Sequence, residues 1–350
     1  MENPLHVGLI GYGFAGRTFH APVITAVPGL RLTTVVQRHG TSSRERYPWV
    51  QVVKDAQDVY RDERIDLVVV ATPSTDHFTF ARDALLAGKH VVVEKPFTVT
   101  TEEADRLIAL AKKQGKMLSV FHNRRWDGDF LTIRKLVQQG ILGQIREAVF
   151  SWDTYQPKAG KNWRDSGAAG SGVFYDLGVH FLDQALTLFG IPSAIRAEIR
   201  CVRENAAAAD DFHVVLEYED GLRVRLKSSK FVREPGPRYV LHGTKGSFVK
   251  YGVDPQEQAL KRGETPEKPD WGAEPESSWG VLNTEIEGLH YVGRIRTIPG
   301  SYAGYYQNVY DAITGKTELE VKPGQARMAI RLIELGIQSS DEKRTLEVSP

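Results

Sequence analysis

Through the first third of the chain, short β-branched and aliphatic runs alternate with amphipathic stretches. Residues 5–10, 32–37, 66–71, 90–94 and 117–121 are nearly continuous apolar runs bounded by turn or charged residues. Strands buried on both faces read this way. Between them apolar positions recur at helical spacing, most clearly over 76–87 and 101–114. The second stretch opens on Thr100 with Glu102 and Glu103 in its first turn and stops before Gly115, a capped start and a glycine end. Strands alternating with helices predict a parallel sheet with right-handed crossovers.

Beyond about residue 125 the pattern changes. A helix is predicted over 129–139, a long strand over 144–155 and a second helix over 172–189. Partially alternating runs follow at 194–202, 211–218, 222–231, 238–242 and 247–250, with Gly221 and Gly246 at turns, as antiparallel hairpins require. Such a sheet needs one covered face, and the 172–189 helix is placed to cover it. Residues 252–284, rich in Pro, Gly and Glu, read as irregular, and helices are expected over 303–314 and 324–338. The predicted architecture is an α/β Rossmann domain with a parallel sheet over 1–122. An α+β domain with a large open, mainly antiparallel sheet follows over 123–350, with C-terminal helices available to pack back on the first domain.

The 350 residues suit two domains, and 41% hydrophobic with 25% charged residues is ordinary for a globular protein. A net charge of +1 offers no general attraction for nucleic acid or an acidic membrane surface. One cysteine, Cys201, makes no intrachain disulfide, and no Cys/His group has metal-site spacing, so no metal is expected. Residues 1–4 lead straight into a short apolar run without a basic leader, and no apolar run is long enough to span a membrane. The expected location is the cytoplasm.

The candidate chemistry starts at Gly11-Tyr12-Gly13-Phe14-Ala15-Gly16. Among 32 glycines a G-x-G-x-x-G string alone says little, but this one follows the first strand and opens a helix. That context lets a helix N-terminus meet a pyrophosphate. At the end of the second strand, Gln37-Arg38-His39-Gly40-Thr41-Ser42 has no carboxylate for ribose hydroxyls. Arg38, with Ser42 on the following loop, suits a 2′-phosphate instead, so NADP is expected rather than NAD. Thr72 and Pro73 close the predicted strand over 66–71, facing the same crevice, and His77 follows as either a cap or packing residue or a cofactor neighbour.

Glu94-Lys95-Pro96 closes the predicted strand over 90–94 and puts Lys95 at the ligand-binding end of the sheet. Whether Lys95–Pro96 is cis stays open. In the predicted 172–189 helix, Asp176 and His180 fall four apart on one face of an apolar element. Taken alone the pair reads equally as a satisfied core network. With Lys95 it reads as alcohol oxidation: His180 as base, Asp176 orienting it, and Lys95 polarising the substrate oxygen.

These residues, namely the glycine string, Ala71-Thr72-Pro73 with His77, Glu94-Lys95-Pro96 and Asp176-Leu177-Gly178-Val179-His180, resemble the Gfo/Idh/MocA oxidoreductase family over nearly the whole chain. The resemblance implies catalytic roles for Lys95, Asp176 and His180. Arg17-Thr18-Phe19-His20-Ala21-Pro22, Phe121-His122-Asn123-Arg124-Arg125-Trp126-Asp127 and Asn162-Trp163-Arg164 resemble its NADP-dependent scyllo-inositol dehydrogenase subgroup. That implies that Asn123, Trp163 and Arg164 lie near nicotinamide and substrate. Arg124, Asp153 and Tyr155 are further candidates for a polyhydroxylated substrate. The expected activity is hydride exchange with a polyol or cyclitol alcohol. An aldose or keto-sugar oxidoreductase, a non-catalytic dinucleotide or sugar sensor, and redox-assisted glycoside cleavage with held NAD are the competing readings. The family also implies a homodimer or homotetramer. Pro22, inside the first helix, is expected to kink it.

Overall fold

The structure is a computed structural model that describes residues 4–160 and 165–349. The chain begins as β1 (Leu5–Ile10), a π turn over Gly16–His20, α1 (Ala21–Thr25), β2 (Leu30–Val36), α2 (Ser43–Arg46), β3 (Gln51–Val53) and α3 (Ala56–Arg61). It continues through β4 (Leu67–Val70), α4 (Ser74–Leu86), β5 (His90–Val93), α5 (Thr101–Gln114) and β6 (Leu118–Val120). Then come α6 (Gly128–Gln138), β7 (Ile145–Ser151), a second π turn at Phe174–Gly178, α7 (Val179–Phe189), β8 (Ala194–Arg200), β9 (Asp211–Glu217) and β10 (Arg223–Ser229). The last part holds β11 (Tyr239–Gly243), β12 (Gly246–Lys250), α8 (Gln256–Lys261), β13 (Gly280–Ile286), β14 (Leu289–Ile295), α9 (Ala303–Ile313), α10 (Pro323–Glu342) and β15 (Leu346–Glu347).

Two compact units divide the chain. The first takes residues 1–126, 256–271 and 301–327. Its six-stranded sheet has the order β3-β2-β1-β4-β5-β6 with every pair parallel. Parallel strands carry helices on both faces, so β4 is wholly buried along its length, which explains its unbroken Leu-Val-Val-Val. The strand order reverses between β1 and β4, where ligands enter such sheets. At α5, Thr100 accepts a hydrogen bond from the Glu103 N–H, and Gly115 closes the helix in the left-handed region, as the sequence predicted. Pro22 sits in the first turn of α1, where the winding changes from π to α. The π turn absorbs the change before the proline, so no long α-helix has to bend.

The second unit takes residues 127–255, 272–300 and 328–350. Its nine-stranded sheet runs β14-β13-β12-β11-β7-β10-β9-β8-β15 and is antiparallel except where β7 pairs with β10. One face is covered by α7, whose Phe181 ring lies 6.1 Å from that of Phe150 and whose Gln184 accepts from the Tyr239 hydroxyl. The other face carries one row in continuous register, Arg196, Val215, Arg225, Val149, Val240, Val249, Val281 and Arg294. These side chains are half-buried or exposed.

The stretch read as irregular holds α8 and most of β13, and β14 was not anticipated. The β13–β14 turn is Glu287-Gly288, both at positive φ, a type I′ hairpin without the Asn or Asp that normally signals one. The short edge strands β3 and β15 were also missed, because two or three residues carry no readable period.

The tight first turn fixes Gly16. A Cβ there would lie 2.1 Å from the Gly11 carbonyl oxygen, a backbone atom that cannot swing away. Gly16→Ala is expected to cost about 1–3 kcal/mol and lower the melting temperature by several degrees. Calorimetry showing an unchanged melt would mean that the loop relaxes at no cost.

Candidate active site

In the first unit, Gly11, Tyr12, Gly13, Arg38, Thr72 and Pro73 are among the residues lining a groove of about 490 Å³ at the carboxyl ends of the strands. Gly11 has φ +100°, and a Cβ there would lie 2.5 Å from the Ala71 carbonyl oxygen, so the β1–β4 contact itself requires glycine. Gly13 is different. A Cβ there would meet nothing within 4 Å. Packing accounts for Gly11 and Gly16, while the open space over Gly13 suits the close approach of a ligand. Phe14 is exposed at the loop tip, edge-on to Phe19, and Ala15 leads into the π turn. These residues fit a dinucleotide pyrophosphate.

Beyond β2 the backbone turns around Gln37. Its amide donates to the His39 carbonyl at 2.8 Å and to Ser42 Oγ at 3.1 Å, and its carbonyl oxygen Oε1 accepts from the Ser43 N–H. Ser42 is therefore engaged in shaping the loop that carries Arg38. The Arg38 side chain is exposed at the groove.

His77 is fully buried between two loops. Nδ1 faces the Pro96 carbonyl at 2.8 Å, and Nε2 faces the Thr72 carbonyl at 3.0 Å. Burial holds its pKa below the ordinary histidine value, against the pull of those carbonyls and of Glu94. The ring thus sits between the loop ending β4 and the loop carrying Lys95, whose bond to Pro96 is cis. Glu94 is buried, with its Oε1 3.7 Å from His20 Nε2, and His20 Nδ1 is joined to the Tyr306 hydroxyl at 2.6 Å. Burial alone would push the Glu94 carboxyl up. The His20 imidazole, with Lys95 and His77, more than reverses this and holds it below the usual carboxylate range.

Asn123 and Arg124 are buried in a short 3₁₀ turn after β6. Arg124 pairs with Glu257 of α8, which also binds Lys261 at 2.6 Å, and Lys261 Nζ stands 5.9 Å from the Phe14 ring centre. A buried arginine that already has a carboxylate partner is a structural brace for the glycine loop as much as a substrate contact.

In the second unit Asp176 lies within the π turn and His180 in the first turn of α7. The helical reading therefore holds, but the turn between them is wider than an α-helix. His180 is buried, whereas Asp176 is partly exposed in a recess of about 150 Å³ shared with Gln156, Asp165, Arg203, Asp210 and Lys230. Arg203 donates at 2.7 Å to both Asp165 and Asp210 and at 3.1 Å to the Lys158 carbonyl, which anchors the recess wall. Asp153 accepts from the Ser229 N–H and Ser151 Oγ and pairs with Lys227 at 2.9 Å, so its carboxylate joins the ends of β7 and β10. Tyr155 is exposed beneath the Arg233 guanidinium, 4.0 Å from its ring centre. Trp163 and Arg164 lie outside the described residues.

Comparison with known proteins agrees along the whole length. The family description "Oxidoreductase family, NAD-binding Rossmann fold" matches residues 5–122, and "Oxidoreductase family, C-terminal alpha/beta domain" matches 134–348. The chain belongs to the Gfo/Idh/MocA oxidoreductase family. It is 44% identical to the uncharacterized oxidoreductase YdgJ of Escherichia coli, covering 99% of each chain. It is 39% identical to the scyllo-inositol 2-dehydrogenase (NADP(+)) IolW of Bacillus subtilis, over 98% of this chain and 95% of the relative. The solved structure of yvaA from Bacillus subtilis superposes with a TM-score of 0.96 at 38% identity, covering 99% of each chain.

For this oxidoreductase, reading the sequence missed Gln37, Lys54 and the Glu257–Lys261 brace. Glu257 and Lys261 left a signal, since they stand four apart in one helix. Among the described residues, no group of His, Cys, Asp and Glu could hold a metal ion, and no helix is long and apolar enough to cross a membrane.

Glu257 gives a pH prediction. Burial raises its pKa, but Arg124 and Lys261 outweigh that and hold it at about 2. Its contribution is therefore complete above the unfolded glutamate value near ~4.3 and is lost as the pH falls toward the folded value. Glu257→Gln should lower stability by about 2–3 kcal/mol at neutral pH, and the gap from wild type should narrow below roughly pH 4.5. Melting curves between neutral and acidic pH that keep a constant gap would contradict this.

Proposed function

We propose that this oxidoreductase exchanges hydride between NADP and a secondary alcohol of a polyol or cyclitol, with scyllo-inositol and scyllo-inosose as the favoured pair. The observation that carries the reading is the end of β2. There the groove offers Arg38 and an amide-built loop in place of an acid. The full-length likeness to an NADP(+) scyllo-inositol 2-dehydrogenase supports it.

Nicotinamide, when bound, supplies the hydride acceptor or donor. Lys95 provides a positive charge for the substrate oxygen at the end of β5. His180 takes the hydroxyl proton, and Asp176 orients the imidazole and supports its charge. The polar recess beside Asp176 supplies hydrogen-bond partners to neighbouring hydroxyls of a polyhydroxylated ring. Asn123, Trp163 and Arg164 are assigned to the nicotinamide and substrate region on sequence grounds, with Tyr155 at its margin.

In this reading the chain works as a homo-oligomer through the uncovered face of its second sheet. The row of Val215, Val149, Val240, Val249 and Val281, with Arg225 between the first two, is flanked by a row in which Glu217, Arg223 and Glu147 alternate in sign. A twofold axis through such a face meets the apolar row with itself and opposite charges with one another.

Lys95→Ala and His180→Ala should each lower turnover by about 100-fold or more while retaining cofactor affinity. Near-normal rates in both would remove the catalytic assignment. A panel of cyclitols, aldoses and their ketones, assayed with both cofactors, identifies the substrate. NADPH oxidation by aldoses but not by inososes would redirect the reading to sugars. Val149→Asp is expected to shift the mass measured by light scattering toward the monomer, and an unchanged mass would place the interface elsewhere.

A further inference from the structure

The end of β2 has a second cation beside Arg38. Strands β2 and β3 run parallel with Val36 opposite Val53, so Lys54 emerges next to Gln37. Its ammonium donates to the Gln37 carbonyl at 3.0 Å and to the Gly40 carbonyl at 2.9 Å. Lys54, Arg38 and His39 line the same groove. Asp55 is the carboxylate among the lining residues, and its Oδ1 accepts from the Gln57 N–H as the cap of α3.

We infer that Lys54 is a specificity-determining residue that binds the phosphate monoester on the adenosine ribose together with Arg38. The inference rests on the NADP reading above and adds a residue to it. An ammonium has three N–H donors. Two are held by backbone carbonyls, which fixes the nitrogen at the loop, and the third remains for a groove ligand. The charge count agrees. A phosphate monoester carries about −1.5 to −2 at neutral pH, which one arginine leaves partly uncompensated and an arginine with a lysine balances. Because Lys54 also holds the loop that carries Arg38, the two cations are positioned as a unit.

Titration calorimetry with adenosine 2′,5′-bisphosphate and AMP tests this without turnover, on wild type, Lys54→Gln, Lys54→Arg and Arg38→Ala. A charge-assisted hydrogen bond predicts that Lys54→Gln weakens the bisphosphate about tenfold or more. AMP binding should stay within about twofold, and Lys54→Arg should restore most of the difference. Equal losses for both ligands would reduce Lys54 to a loop tie and overturn the inference, as would no loss for either. If Arg38→Ala abolishes the wild-type preference while Lys54→Gln keeps it, the inference alone fails. If wild type has no preference for the bisphosphate, the NADP reading fails and takes this inference with it.

Discussion

A carboxylate taken out of water at the end of a parallel strand is the constraint around which the first unit is assembled. Glu94 is buried, and an unpaired buried charge would cost several kcal/mol. The structure answers with His20 at 3.7 Å and with Lys95 and His77 as charged or polar neighbours, while Tyr306 fixes the far side of the His20 ring. Meeting that demand draws together the π turn after the glycine loop, the ends of β4 and β5, and α9. The Lys95 loop is therefore fixed by the same contacts that make Glu94 tolerable.

The two sheets solve burial differently. Helices on both faces force the strands of the first into continuous apolar runs, and bring its loops to one edge where backbone groups and helix starts point at a ligand. The second sheet alternates, as β9 does, because α7 covers one face and the other carries a row of valines among charges. That face is neither a core nor an ordinary solvated surface, and the proposal of self-association rests on it.

Within the site, legibility followed the range of the interaction. Gly11 and Gly16 could be read because strand, turn and helix are consecutive, and the same is true of the Thr100 and Gly115 caps. Arg38 could be read from its place after a strand. Lys54 could not, since it reaches the Arg38 loop only through the register of β2 with a strand of three residues. Ser42, expected at the cofactor, also accepts from the Gln37 amide, an arrangement set by turn geometry. Arg124 was placed among polar substrate contacts, and its pairing with Glu257 joins positions far apart in the chain. The helix carrying Asp176 and His180 was visible, but the π winding of its first turn was not.

Taken alone, the amino-acid order determined what local physics can determine. Periodicity set the parallel and alternating strands, capping residues set the helix ends, and the glycine string with Lys95, Asp176 and His180 supplied the candidates for the chemistry. Tertiary structure decided which polar groups share a buried space: Glu94 with His20, and His77 between two carbonyls. Those choices depend on strand register and on charge balance between distant segments. No window of sequence contains them, because the desolvation that forces each pairing exists only once the chain has folded.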